Sequence, residues 1–130
     1  MTELEKSYLA GLFDGEGSVS FTTYCSKGKR YNKLQAKISQ NQREVLDWVC
    51  AITGVGSVHK CKRRSVTGFY CHDYVVAHES ARRFLREIRP YLKVKGTAVD
   101  AKLADDAKKV KRQSAAVTRH DLREIEVSLN

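Results

Sequence analysis

Asp14 and Glu16 stand among Gly11, Gly15 and Gly17 in the stretch LAGLFDGEGSVSF, residues 9–21. The residues before them repeat apolar side chains at helical spacing, which places both acids at a helix C-terminus. The helix dipole is negative there and disfavours a carboxylate by roughly 0.3 to 1 kcal/mol. A divalent cation removes that conflict, because carboxylate oxygens are ligands for such ions. An ion held there can activate water and stabilise the leaving oxygen at a phosphodiester. For Asp14 a plainer role, accepting hydrogen bonds from nearby backbone amides, explains the residue as well.

At 100° per residue, Tyr8, Leu9, Leu12 and Phe13 fall on the side of this helix that suits the chain's own sheet, while Ser7, Ala10, Gly11, Asp14 and Gly15 fall on the other. Small residues at positions 7, 11 and 15 let a second helix approach to backbone distance. Glycine within a helix costs about 1 kcal/mol relative to alanine, and close helix packing would offset that loss. One chain supplies one such helix. The expected interface of Ser7, Ala10, Gly11 and Asp14 is therefore that of a two-fold homodimer, with two copies of Glu16 near its axis.

The elements that must hold these residues follow from capping and alternation. Thr2 followed by Glu5, and Asn41 followed by Glu44, have capping-box spacing, so helices are expected to begin just after each cap. Val45, Trp48, Val49 and Ile52 give the second helix its apolar face. Behind the first helix, Ser18–Tyr24 and Lys33–Gln40 alternate as strands around the tip SKGKRYN. Behind the second, Ser57–Arg63 and Gly68–Val75 flank the tip RRSVTG. The helix, Gly-x-Gly-Ser-Val, two-strand pattern thus occurs twice, starting its glycines at 15 and again at 54. A third helix carries Ala81, Phe84, Leu85 and Ile88 and stops at Pro90, and a fourth runs from about Lys95 to Arg112. Residues 1–112 are expected to form the core domain, and 113–130 a tail with a short helix capped by Thr118. The result is an α+β fold of αββαββα order, a four-stranded antiparallel sheet with helices on one face.

Charge is segregated along the chain, which carries a formal net charge of +9 from 24 Lys+Arg against 15 Asp+Glu. Residues 17–43 hold six Lys/Arg and no acid, and residues 48–72 hold four more and no acid. Such a distribution suits a polyanion. A twisted antiparallel ribbon can enter the major groove of DNA, where Lys and Gln read base edges. Alternation from Glu16 puts Ser18, Ser20, Thr22 and Tyr24 on the outer face, and alternation back from Gln40 adds Ser39, Lys37, Gln35 and Lys33. The tips contribute Lys27, Lys29, Arg30 and Arg64. His59, Cys61 and Arg63 are expected to follow on the second ribbon, with Tyr70 and His72, whose phase is ambiguous. The four cysteines lack a CxxC pair. A zinc set of His59, Cys61, Cys71 and His72 is disfavoured because Cys71 and His72 point to opposite faces, which leaves reduced thiols as the reading. No apolar run is long enough to span a membrane, and the polar start MTELEKS is unlike a targeting peptide, so a soluble intracellular protein of the cytoplasm, nucleoid or an organelle matrix is expected.

LAGLFDGEG, residues 9–17, resembles the signature of the LAGLIDADG homing endonucleases, with Phe13 for isoleucine, Gly15 for the second alanine and Glu16 for the final aspartate. The resemblance extends over about residues 4–110, through the element order, the acid-poor ribbons and RPYLKVK at 89–95. It implies that motif helices form a dimer core, that the sheets form a saddle over double-stranded DNA, and that Glu16, with Gly15 beside it, holds Mg2+ at the scissile phosphates, Mn2+ being able to substitute. It also implies that Lys95 acts as a polarising or proton-handling group and that Gln40 orders the nucleophilic water. The activity implied is cleavage of a long, partly palindromic site on both strands to leave staggered ends, with no small-molecule substrate. The alternative is a nucleic-acid-binding protein that keeps this fold without cutting, a splicing maturase or a DNA-binding regulator.

Overall fold

The computed structural model describes the backbone of residues 1–64 and 70–129, and side chains throughout these except at 62–64, 70 and 113–129. Helix α1 spans Glu3–Glu16, strands β1 and β2 span Gly17–Ser26 and Lys29–Gln40, and helix α2 spans Arg43–Thr53. Strands β3, Ser57–Arg64, and β4, Tyr70–Ala77, follow, then α3 at His78–Ile88, a 3-10 turn at Arg89–Tyr91, and α4 at Gly96–Leu129. The four strands form one antiparallel sheet in the order β1-β2-β4-β3. The two hairpins thus join along β2 and β4, with Ile38 opposite Tyr74 and Ser39 opposite Asp73.

One face of this sheet carries the core. Leu34, Ala36 and Ile38 of β2 and Tyr74 and Val76 of β4 alternate inward and are buried against Leu9 and Phe13 of α1, Leu46 and Val49 of α2, and Phe84, Leu85 and Ile88 of α3. Period-2 strands thus meet period-3.6 helices in two layers, the expected α+β arrangement. None of the described helices is long and apolar enough to cross a membrane.

Local chemistry explains the boundaries. The Thr2–Glu5 capping box forms, with the Glu5 amide donating to Thr2 Oγ1 at 3.1 Å and the Thr2 amide to Glu5 Oε1 at 2.8 Å. The corresponding box at Asn41 does not: Gln40 Oε1 accepts from the Asn41 amide at 2.8 Å, and α2 starts later, at Arg43, with Gln42 at its cap and no side-chain bond. The first hairpin tip is tighter than SKGKRYN implies. Ser26 pairs with Lys29, and Lys27 and Gly28 close the turn at φ 50° and 77°, the left-handed pair that matches strand twist in two-residue hairpins. The repeated Gly-x-Gly-Ser-Val letters also take different backbones. Gly54 and Gly56 have φ of 69° and 85°, whereas Gly17 is extended. Gly17 is needed for space instead, because a Cβ there would lie 2.3 Å from the Phe13 ring.

The tail departs from expectation. A separate short helix capped by Thr118 is replaced by one continuous α4 to Leu129, and the chain beyond Gly96 has no proline or glycine to interrupt it.

Candidate functional site

Glu16 is the last residue of α1 and Gly17 the first of β1, so no loop separates the acid from the sheet. Its side chain is exposed, and no hydrogen bond or ion pair engages it among the described residues. Lys95 lies at the same helix end. Its ammonium donates to the carbonyl oxygens of Phe13, at 3.3 Å, and Gly17, placing a cation at the helix end where the dipole is negative.

Asp14 brings Lys95 there. Its carboxylate accepts from the backbone amides of Lys93 at 2.8 Å, Val94 at 3.1 Å and Lys95 at 2.9 Å. Desolvation pushes the Asp14 pKa up, but those three amides and the Lys95 charge outweigh it and hold the group below the ordinary aspartate value. Asp14 therefore anchors the segment before α4, with both carboxylate oxygens occupied within the chain.

The exposed side of α1 also differs from the expected one. Ala10 is fully buried, because α1 packs against both β2 and α3, so the buried arc is wider than one sheet-facing stripe. Ala10 is withdrawn from the interface set. Tyr8, assigned to the chain's own sheet, is instead 59% exposed, and Leu4 is 84% exposed. Ser7, Gly11 and Gly15 share this open side, and a Cβ at either glycine would meet nothing within 4 Å. Tyr8 and Trp48 meet edge to face at 5.3 Å and, with Val45 and Glu44, line an open apolar groove of about 360 Å³ beside that surface.

Cross-strand register defines the outer face of the sheet. Ser18 stands opposite Lys37, Ser20 opposite Gln35, Thr22 opposite Lys33 and Tyr24 opposite Tyr31, so all eight share one side, with Ser39 in phase on β2. Tyr24 and Tyr31 stack at 5.5 Å and Lys33 Nζ lies 5.7 Å from the Tyr24 ring. Tyr31 was missed because β2 was started at Lys33; extending the alternation to Lys29 would have found it. Lys27, Lys29 and Arg30 are exposed at the tip, with Arg30 paired to Cys25 and hence in the other phase.

On the second ribbon the phase is now fixed. His59 stands opposite Asp73 on the outer face, whereas His72 stands opposite Gln40 and shares the phase of Ile38 and Tyr74. His72 is therefore removed from the outward-facing set. Gln40 has the expected inner parity at its strand end, with its Oε1 taken up by the Asn41 and Gln42 amides. The side chains of Arg63, Arg64 and Tyr70 lie outside the described residues. Cys61 and Cys71 meet Asp73 on the outer face, with their ligating atoms within 4.8 Å of one another, and Ser39 Oγ donates to Asp73 Oδ1 at 2.6 Å. Desolvation, then hydrogen bonding with Cys71 and Asp73, pushes the Cys61 thiol up to about 12.

Comparison with known proteins agrees with this fold. No curated protein matches the chain. Among solved structures, the homing endonuclease I-CvuI, in complex with the I-CreI target and in the presence of Mg2+, superimposes with a TM-score of 0.62 at 22% identity over 75% of this chain and 62% of that one. The archaeal intron-encoded homing endonuclease I-Vdi141I, complexed with DNA, gives 0.63 at 20% identity over 77% and 65%. The LAGLIDADG homing endonuclease I-LtrWI, bound to target DNA, gives 0.62 at 24% identity over 85% and 39%. The chain thus spans less than two thirds of the length of these structures. A family model described as LAGLIDADG endonuclease matches residues 9–95, more than half of the sequence, from within α1 to Lys95. The chain belongs to the LAGLIDADG endonuclease family.

Proposed function

We propose that two copies of this chain form a site-specific, metal-dependent DNA endonuclease that hydrolyses one phosphodiester on each strand of a long, partly palindromic site. The observation that carries this reading is the end of α1: an unpartnered carboxylate, Glu16, with Lys95 on the same helix end, opening directly onto a Lys-, Ser- and Gln-bearing sheet face. Glu16 and the Gly15 carbonyl offer hard oxygen ligands suited to Mg2+. They fit the ion because nothing within the described chain satisfies the Glu16 carboxylate at a helix end that disfavours it. Bound there, the ion would supply an acidified water and charge neutralisation at the phosphate. Lys95 holds its charge at that end and is the cation available to the developing phosphorane. Gln40 can orient a water through its amide nitrogen while its oxygen stays on the Asn41 and Gln42 amides.

Gly11 and Gly15 support the homodimer. Nothing among the described residues fills the space beside them, and a partner helix would offset the cost of two helical glycines. The exposed Leu4 and Tyr8 widen that contact into an apolar one. The outer residues Ser18, Ser20, Thr22, Tyr24, Lys33, Gln35, Lys37, Ser39 and His59 then face DNA on both ribbons.

Selection of cleaved molecules from a randomised duplex library with Mg2+ tests the activity and yields the site. Glu16→Gln is expected to keep DNA binding and lose cutting by at least ~10²-fold, the scale of losing one preorganised charge-stabilising group. Full cutting by that variant would overturn the assignment. A non-cutting binder of the same fold would give no cleaved molecules with the wild-type chain.

A further inference from the structure

We propose that His59, Cys61, Cys71 and Asp73 form a zinc site that clamps β3 to β4 on the outer face of the sheet. The residues are two i, i+2 pairs on neighbouring antiparallel strands, and side chains two apart on a strand share a face. The ligating atoms of Cys61, Cys71 and Asp73 already lie within 4.8 Å of one another. Zn–S bonds of about 2.3 Å at tetrahedral angles place two sulfurs about 3.8 Å apart, so bringing the two sulfurs to that spacing needs a contraction of at most about 1 Å. His59, outside that 4.8 Å group, would supply the fourth ligand by turning its ring from Ser57 toward Cys61. It stands directly opposite Asp73 in the register, and its Nε2, now 2.6 Å from Ser57 Oγ, is exposed and free to exchange that contact for a metal.

Replacing His72 by Asp73 removes the objection to the zinc set considered from sequence, since His72 faces the core and Asp73 does not. The ligand chemistry selects the ion. Two thiolates with imidazole and carboxylate suit zinc or cobalt, whereas Mg2+ prefers oxygen. Binding would release the two thiol protons to solvent. Ser39 supplies the outer support, since its hydroxyl fixes Asp73 Oδ1 as carboxylate ligands commonly are. The fold also has a use for the clamp. β3 is an edge strand with one neighbour, and its pairing with β4 shifts register between Lys60 and Arg64, the stretch that holds Cys61.

Cobalt titration of the reduced, metal-free protein tests this. One Co2+ per chain should bring the intense thiolate-to-cobalt charge-transfer band together with tetrahedral visible bands, and Zn2+ should bleach both. The charge-transfer band separates this site from an oxygen-only one. In the wild-type chain, Zn2+ should protect Cys61 and Cys71, but not the exposed Cys25, from alkylation mapped by mass spectrometry, which needs no variant to fold. The double substitution Cys61→Ser with Cys71→Ser should abolish the band, and Ser39→Ala should weaken zinc affinity about 10-fold. Absence of the band under reducing conditions, equal alkylation of all cysteines with and without Zn2+, or a Cys61–Cys71 disulfide that persists in reductant would each overturn the proposal.

Discussion

Asp14 and Glu16 are two residues apart, yet their surroundings give them opposite duties. Asp14 is held as an anion by three amides of the segment before α4, and Glu16 by nothing among the described residues. Because the folded pKa of Asp14 is depressed, its contribution to stability is fully present above the ordinary aspartate value, near 3.8, and is lost as pH falls through the lower folded value. Asp14→Asn should therefore be less stable than the wild-type chain at pH 7, by about 0.5 to 2 kcal/mol if the bonds behave like a helix cap. The difference should shrink toward pH 3, which urea denaturation at both pH values would measure; a constant difference would remove the ionic role. Gly17→Ala addresses a second contact at this corner. Its Cβ would press on the Phe13 ring at 2.3 Å, and a loss of about 1 to 3 kcal/mol is expected, readable by the same denaturation.

At the scale of elements, α1 serves two neighbours. Leu9, Ala10 and Phe13 bind it to its own sheet and α3, while Leu4, Ser7, Tyr8, Gly11 and Gly15 remain open. Gly11→Leu should leave the monomer folded, since the position is unobstructed within the chain, but should hold a second α1 away. Sedimentation should then show a dimer for the wild-type chain and a monomer for the variant, with unchanged circular dichroism. A tight dimer in Gly11→Leu would give the open side another purpose. Much of this element structure was legible beforehand. The alternation of Leu34, Ala36 and Ile38 with Lys33, Gln35 and Lys37 marks an inner and an outer face without any structure, because only one phase buries the apolar set. Two things were not legible. Ala10 lies where the sheet-facing and α3-facing arcs of α1 overlap, and no single-face projection separates them. The Asp14 contacts join residues 79 to 81 positions apart, a distance over which local periodicity carries no information. The phase of β4 fell between these cases: Cys71, His72 and Asp73 are all polar or neutral to burial, and pairing with β2 rather than composition decides which of them faces out.

For the whole molecule, the excess positive charge is less informative than its placement. The outer face presents Lys29, Lys33 and Lys37 along β2, and Asp73 is the one acid in phase with them on the described strands, already hydrogen-bonded to Ser39. A two-fold dimer joined through α1 would set two such faces side by side, doubling the number of cations that can meet a duplex while both Glu16 carboxylates stay near the axis. Binding should then be dominated by counterion release, with the logarithm of affinity falling by about 0.9 per neutralised phosphate for each decade of salt. If ~6 to 10 phosphates are met, affinity should drop by about 10³ to 10⁵ between ~50 and ~200 mM salt. Replacing Lys33 and Lys37 by Gln removes four charges from the dimer, and should flatten the slope by up to about 4 if each lysine meets a phosphate. Lysines that instead read base edges would leave the slope nearly intact and relax the selected sequence. Fluorescence anisotropy across a salt series, run on the selected site and on an unrelated duplex, distinguishes the two. A wild-type slope near zero would mean that this face does not meet DNA at all.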